Sequence, residues 1–264
     1  MKRAFFYLRL YKEQLHMGMI KMTQYPLDSM IWILSMIGRE GANFLGVFAI
    51  ARAAGGIGGW NLYEICIIFA MGAMIEAISQ SFLDSIWEIG NKIRKGKMDT
   101  FLIRPAGVLF QLLGSQFQFQ ALFSFAASFA VFVISCGKLG IESSPALVLF
   151  MAEFLVCGAV INSSIYLVFN CLNFWIVRGD DISVLVQTFR EFAKYPVSVF
   201  PIVIRGVLTF AVPFGFIGYY PAAYITGRVD FPVPLVLFVT ALITGTIGIS
   251  IWRLGLKGYN STGT

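Results

Sequence analysis

The chain has 264 residues, 58% of them hydrophobic and only 13% charged, against roughly 25% charged in a soluble domain. With a mean hydropathy of +0.77 and 26 phenylalanines, this excludes an ordinary soluble enzyme and leaves the polytopic helical membrane class. At about 20 apolar residues per crossing there is room for about six helices and none for a separate soluble catalytic domain. The net charge of +6 does not mark a nucleic-acid binder, because the cations cluster in loops beside apolar spans, where they also meet anionic lipid.

Residues 2–24 set Lys and Arg against Phe, Leu and Met. Arg9, Lys12, Glu13 and His16 fall at i, i+3, i+4 and i+7 and share one helix face. This pattern predicts a helix lying in the membrane surface. His16, the sole histidine, reads as a solvated residue on that face. Pro26 marks a bend into a first crossing over 27–51. The charges of the leader, with Arg39 and Glu40, argue against a cleavable signal peptide ending at Ala49-Ile50-Ala51. Gly55, Gly56, Gly58 and Gly59 then make a short turn, with Trp60 and Tyr63 at the interface.

A second crossing over 62–82 delivers the chain to a loop, 83–106, that holds Lys92, Arg94, Lys95, Lys97 and Arg104. A short basic loop of this kind is retained in the cytoplasm. The third crossing is predicted over 109–136 and the fourth over 145–177, with Arg178, Gly179, Asp180 and Asp181 breaking it on the inner side. Ser183, Gln187, Arg190, Glu191 and Lys194 form a polar stripe on the next helix. That helix either lies on the cytoplasmic surface or crosses with its stripe facing a wet cavity. The stretch to Tyr220 is interrupted by Pro201 and Pro213 and followed by Pro221, as for a second crossing piece or a re-entrant hairpin. The last crossing is predicted over 232–252. Fifteen Lys or Arg then fall on the side of the basic loop against three, Arg52, Lys138 and Arg228, on the other. The bias predicts that both termini are cytoplasmic. Cys66, Cys136, Cys157 and Cys171 lie in apolar stretches without metal-ligand spacing and read as buried thiols.

Charges within the apolar spans stand out, because each costs about 2.5–3.5 kcal/mol at the bilayer centre and needs a partner or water. They are Arg39 and Glu40 in the first crossing, Glu76 in the second and Glu153 in the fourth. An Arg39–Glu76 pair would either fix helix register or serve a substrate pathway. Gln111, Ser115 and Gln118 on the third crossing, and Asn162 and Asn170 on the fourth, form polar stripes. They suit helix pairing and a cavity lining equally. There is no phosphate-binding G-x-x-x-x-G-K-[ST] loop, no H-E-x-x-H and no G-x-S-x-G. Energy for active transport must therefore come from a partner or from an ion gradient.

The run Ile93-Arg94-Lys95-Gly96-Lys97-Met98-Asp99-Thr100-Phe101-Leu102-Ile103-Arg104-Pro105 resembles the IR-x-G-x-x-D-x-x-L-x-RP signature of a bacterial branch of the ABC-2 type transporter permeases. Tyr195-Pro196, Pro213 and Tyr219-Tyr220-Pro221-Ala222 resemble the same branch's YP…P…YYPA pattern. The resemblance implies an all-α fold of six crossings, with a surface N-terminal helix, a cytoplasmic coupling helix near 84–95 and a broken segment before the last crossing. It implies a non-enzymatic transmembrane subunit of an exporter in the bacterial cytoplasmic membrane. Such a subunit pairs with an identical or paralogous permease and is driven by two copies of a cytosolic ATPase that bind ATP and Mg. The chain itself would bind no cofactor or metal.

In that reading the loop docks in the ATPase. Ile86, Trp87, Ile89 and Ile93 would be its apolar anchors, with Lys92 and Arg94 beside them. Gly96 would cap the coupling helix, Asp99 and Arg104 would pair or cap helix ends, and Pro105 would start the third crossing. The substrate class suited to such crossings is a hydrophobic or cationic organic compound. Two other readings are a proton-driven secondary transporter using Glu40, Glu76 or Glu153, and a membrane scaffold.

Overall fold

The computed structural model describes residues 2–176 and 179–259. Arg178, expected on the inner side, and Val177, the expected end of the fourth crossing, lie outside the described residues. Helices fill most of the chain, and among the described residues the only β-type pairing is an isolated bridge between Ile57 and Trp60.

The first helix, α1, covers Lys2–Gln24. Tyr7, Tyr11, Gln14, Leu15 and Gly18 share the face turned to the protein, while Phe5, Leu8, Met19 and Ile20 are exposed. Helix α2, Pro26–Ala53, starts with proline in its first turn, where the missing N–H costs nothing. It ends in the four-glycine turn, where Gly56 has φ 124° and a Cβ would run into the Trp60 carbonyl. Asn61 opens α3, Leu62–Leu83, through a capping box with Glu64. Helix α3 is the buried centre of the molecule, with Ile65, Ile67, Ile68, Met71, Met74 and Ile75 fully covered.

The chain leaves α3 through a 3-10 turn, Asp84–Glu88, into α4, Ile89–Arg94, and then α5, Asp99–Leu102. The crossing expected as one helix over 109–136 is interrupted. Helix α6 covers Val108–Leu113 and α7 covers Ala121–Lys138, with Gly114–Gln120 between them non-helical. The break has a tertiary cause. The Gln118 N–H donates to the Ser81 carbonyl of α3 at 3.1 Å, and Gly114 leaves room for the Gln14 amide of α1.

Helix α8, Pro145–Cys171, is capped by Ser144 and ends in a 3-10 turn at Phe174. It approaches α3 closely at Gly158, where a Cβ would sit 2.6 Å from Ile75 Cδ1. Helix α9 covers Gly179–Glu191, α10 Ile202–Gly206, α11 Tyr219–Ile225 and α12 Val233–Lys257. Helix α12 lies against α8 with Gly248 over the Ser164 backbone, a small-residue seam of the kind that packs membrane helices.

Among the described residues, five helical stretches are long and apolar enough to cross a bilayer: α2, α3 with its continuation to Arg94, α7, α8 with its 3-10 extension, and α12. A bent pair, 202–211 and 214–225, is a sixth candidate by length and turns by 76° at its break. Its contacts identify a hairpin. Before it, Ser198 Oγ accepts from Trp60 Nε1 at 3.3 Å, so the chain is at the glycine-turn end. At its tip, Ala211–Pro213 lie beside Ser164, Phe169 and Thr244, and Gly218 meets the Ile68 and Ala193 carbonyls. After it, Tyr224 packs on Phe150 and Arg228 binds Glu64, again at the glycine-turn end. The backbone after the break, from Pro213 through the 3-10 turn Phe214–Phe216 to Gly218, is buried, which satisfies the rule that irregular backbone at membrane depth be covered by protein.

The passage between the two ends is made instead by α9 and the turns through Val199. Ser183, Arg190 and Lys194 of its stripe are buried against neighbouring helices, while Gln187 borders an open cleft and Glu191 is partly exposed.

Candidate functional site

Glu76 stands on α3 about 21 Å from the helix start at 1.5 Å per residue, and is 4% exposed. Three cations converge on it. Arg190 Nη2 lies 2.5 Å and Arg39 Nη2 3.3 Å from Glu76 Oε1, and Lys194 Nζ lies 3.3 Å from Oε2. Gln80 Nε2 donates to the same Oε1 at 3.1 Å. Lys194 also reaches Glu40 at 3.2 Å and Glu191 at 3.1 Å, while Arg39 reaches Glu40 at 3.4 Å. Three cations therefore meet three carboxylates across α2, α3 and α9 with the 3-10 turn Phe192–Lys194 that follows it, and the cluster is neutral.

The local sequence explains this convergence. Arg190 and Lys194 are four apart and share a helical face, and Gly72 on α3 leaves space against which the Lys194 stem lies. Aromatic faces complete the shell, with Tyr166 6.0 Å from the Arg190 guanidinium and Phe69 5.4 Å from Lys194 Nζ. Removing one partner from such a buried array strands the others, at a cost of about 3–5 kcal/mol.

Arg39 is the member that reaches outward, its side chain 48% exposed. It opens on a cleft of about 390 Å³ walled by Trp32, Gln80, Asp84, Trp87, Gln118 and Gln187. Asp84 Oδ2 accepts from Gln118 Nε2 at 2.5 Å and from Gln116 Nε2 at 3.3 Å. Behind Trp87 is a small cavity of about 20 Å³, room for one water. Ser79, Asn162, Ser163 and Tyr166 line it, each with a polar atom that has no protein partner.

The remaining sequence-predicted residues fall elsewhere. Gln111 donates to the Phe101 and Ala106 carbonyls at 3.1 and 2.6 Å and staples the loop. Ser115 accepts from Lys92 Nζ at 3.2 Å. Asn170 donates to the Tyr166 carbonyl of its own helix at 2.9 Å. Glu153 is half-buried on α8, makes no ion pair among the described residues and stands outside the cluster.

The basic loop is organised differently from the sequence expectation. Ile86, Ile89 and Ile93 are buried in the chain's own core, and Trp87 packs on Tyr166 at 4.6 Å. The apolar face of the three isoleucines is turned to the chain's own core, so they are not free anchors for a partner, while Trp87 is partly exposed at the edge of the cleft. Arg94 Nη1 donates to Asn173 Oδ1 at 3.1 Å and fastens the loop to the end of α8. Gly96, at φ 63°, closes α4 in a Schellman motif: its N–H donates to the Ile93 carbonyl and that of Lys97 to the Lys92 carbonyl. Asp99 begins α5, and burial together with the Asp99 carboxylate pushes the Tyr259 phenol up. Pro105 lies in the bend before α6, which starts at Val108 rather than at the proline. What the loop exposes is Arg94, Lys95, Lys97, Thr100 and Leu102 through Pro105, with Ile103 84% exposed.

A helical bundle with five or six candidate spans, charges buried in a neutral cluster and a basic connecting loop is a multi-pass membrane protein. The chain belongs to a family of ABC transporter permeases: the family model described as "ABC-2 family transporter protein" matches residues 37–263, nearly the whole chain. Membership makes it a transmembrane permease subunit of an ABC transporter, a class that works with an ATPase. No curated protein sequence matches the chain.

Proposed function

We propose that the chain is one half of the translocation unit of an ATP-driven exporter in a bacterial cytoplasmic membrane. It pairs with an identical or paralogous permease. Two copies of a cytosolic ATPase, which bind the ATP and Mg, drive it. The observation that carries this reading is the cleft at Arg39. A half-exposed arginine in a membrane helix calls for water or a second polypeptide beside it, and a pathway between two subunits supplies both. The excess of Lys and Arg in the α1, 83–106 and C-terminal segments supports a cytoplasmic position for the loop and both termini. The exposed surface from Lys95 to Pro105 is the part of the loop suited to the ATPase.

The rings of Trp32 and Trp87 and the Asp84 carboxylate favour a hydrophobic or cationic organic substrate. The test is co-purification of the tagged chain with the ATPase, followed by transport in vesicles. Transport that needs ATP and the ATPase supports the reading. Transport driven by a proton gradient alone, with no ATPase bound, overturns it in favour of a proton-coupled carrier.

A further inference from the structure

A second and larger cleft, of about 590 Å³, lies between α1 and the α5–α6 bend, away from Arg39. Its size is within the range of about 300–1,000 Å³ typical of ligand pockets. Its position is set by chain geometry. Lys21 stands five residues before α2 enters the bilayer, and Arg104 stands just before α6. Helix α1 carries exposed Phe5, Leu8, Met19 and Ile20 beside it, the side chains of a helix seated in the membrane surface. The cleft therefore lies at the level of lipid headgroups.

Two of its cations and two of its amide oxygens have no hydrogen-bond or ion-pair partner among the described residues. Neither Lys21 nor Arg104 forms an ion pair among the described residues, and Arg104 only rests over the Phe101 ring at 6.0 Å. Among the described residues Glu13 is the one carboxylate in the lining, against Lys21 and Arg104, which leaves the cleft with a net positive charge. Gln14 and Gln111 each present a buried side-chain oxygen without a hydrogen-bond partner, and Gln111 is 3% exposed. Such an oxygen costs about 1–3 kcal/mol unless a donor reaches it. The lining thus offers cations for a phosphate and acceptors for hydroxyl groups.

We propose that this cleft binds the headgroup of an anionic glycerophospholipid of the phosphatidylglycerol type. Lys21 and Arg104 hold the phosphate, the amide oxygens of Gln14 and Gln111 accept from the headgroup hydroxyls, and the acyl chains run along the apolar side of α1. The bound lipid ties α1 to the basic loop. Phosphatidylethanolamine presents an ammonium in place of the hydroxyls and carries no net charge, so it fits the positive lining less well.

The test is native mass spectrometry of the delipidated full chain in detergent. It is supplied in turn with dioleoyl phosphatidylglycerol, phosphatidylethanolamine and phosphatidylcholine. One phosphatidylglycerol per chain is expected to survive collisional activation that strips the other two. Lys21→Gln with Arg104→Gln is expected to lower that occupancy at least tenfold and leave the other lipids unchanged. Glu13→Gln removes the opposing charge and is expected to raise it about threefold. Equal retention of the three lipids, full occupancy in the double variant, or a fall in Glu13→Gln overturns the proposal. Displacement of the lipid by excess glycerol 3-phosphate also overturns it, in favour of a soluble phosphate ligand.

Discussion

Arg190 on α9 places Nη2 2.5 Å from Glu76 Oε1 on α3, and both side chains are buried. Residues 114 positions apart are thereby joined inside the bundle. Glu76→Gln leaves three cations facing two carboxylates. It should cost about 3–5 kcal/mol and lower the melting temperature of the detergent-solubilised protein. The paired change Glu76→Met with Arg190→Met keeps the remaining charges balanced and should recover most of that loss. A double-mutant cycle in thermal denaturation reads the coupling, and additive losses would contradict the pairing.

The exposed end of the loop separates docking from folding. Ile93 is buried, so Ile93→Asp should destabilise the chain itself. Ile103 is exposed, so Ile103→Asp should keep melting temperature and membrane insertion while co-purification of the ATPase falls at least tenfold. Undiminished recovery of the ATPase would remove Ile103 from the docking surface.

Gly158 fixes the spacing of α3 and α8. Gly158→Ala pushes a methyl group against Ile75 Cδ1 and should cost about 1–3 kcal/mol through overpacking. Ile75→Val removes that terminal carbon, and in the Gly158→Ala background it should restore part of the loss. A double variant less stable than Gly158→Ala alone would show that the strain lies elsewhere.

Arg228 fastens the hairpin at the glycine-turn end. Its Nε and Nη2 donate to Glu64 at 2.8 and 2.6 Å, Nη2 also donates to the Gly59 carbonyl at 3.0 Å, and the guanidinium lies 4.5 Å from the Trp60 ring. Arg228→Ala strands the largely buried Glu64 at about 1–3 kcal/mol. Amide exchange across 202–225 should rise about tenfold or more, since 1.4 kcal/mol is a factor of ten. Exchange unchanged in that segment would show that the hairpin is held from its tip.

Hydropathy alone places α2, α3, α8 and α12, because long apolar runs have few alternatives in a membrane chain. The interruption at Gly114–Gln120 is not legible there. It depends on Ser81 and Gln14, which are distant in sequence. Pro201 and Pro213 mark a broken segment, but only the Trp60–Ser198 and Glu64–Arg228 contacts show that the chain returns to its starting end. The Arg39–Glu76 pair follows from neighbouring helices. The closer partner, Arg190, stays hidden because a polar stripe looks the same whether it faces water or carboxylates. The inward turn of Ile86, Ile89 and Ile93 is hidden for a similar reason: an apolar face fits a partner's groove and the chain's own core alike.

The neutral cluster also governs how force passes through the bundle. Separating α2, α3 and α9 would expose unpaired charges to an apolar medium, so these three shift as one stiff body. The seam of α8 and α12 at Ser164 and Gly248 is closed by small residues and carries no charge, so it stands outside that electrostatic lock.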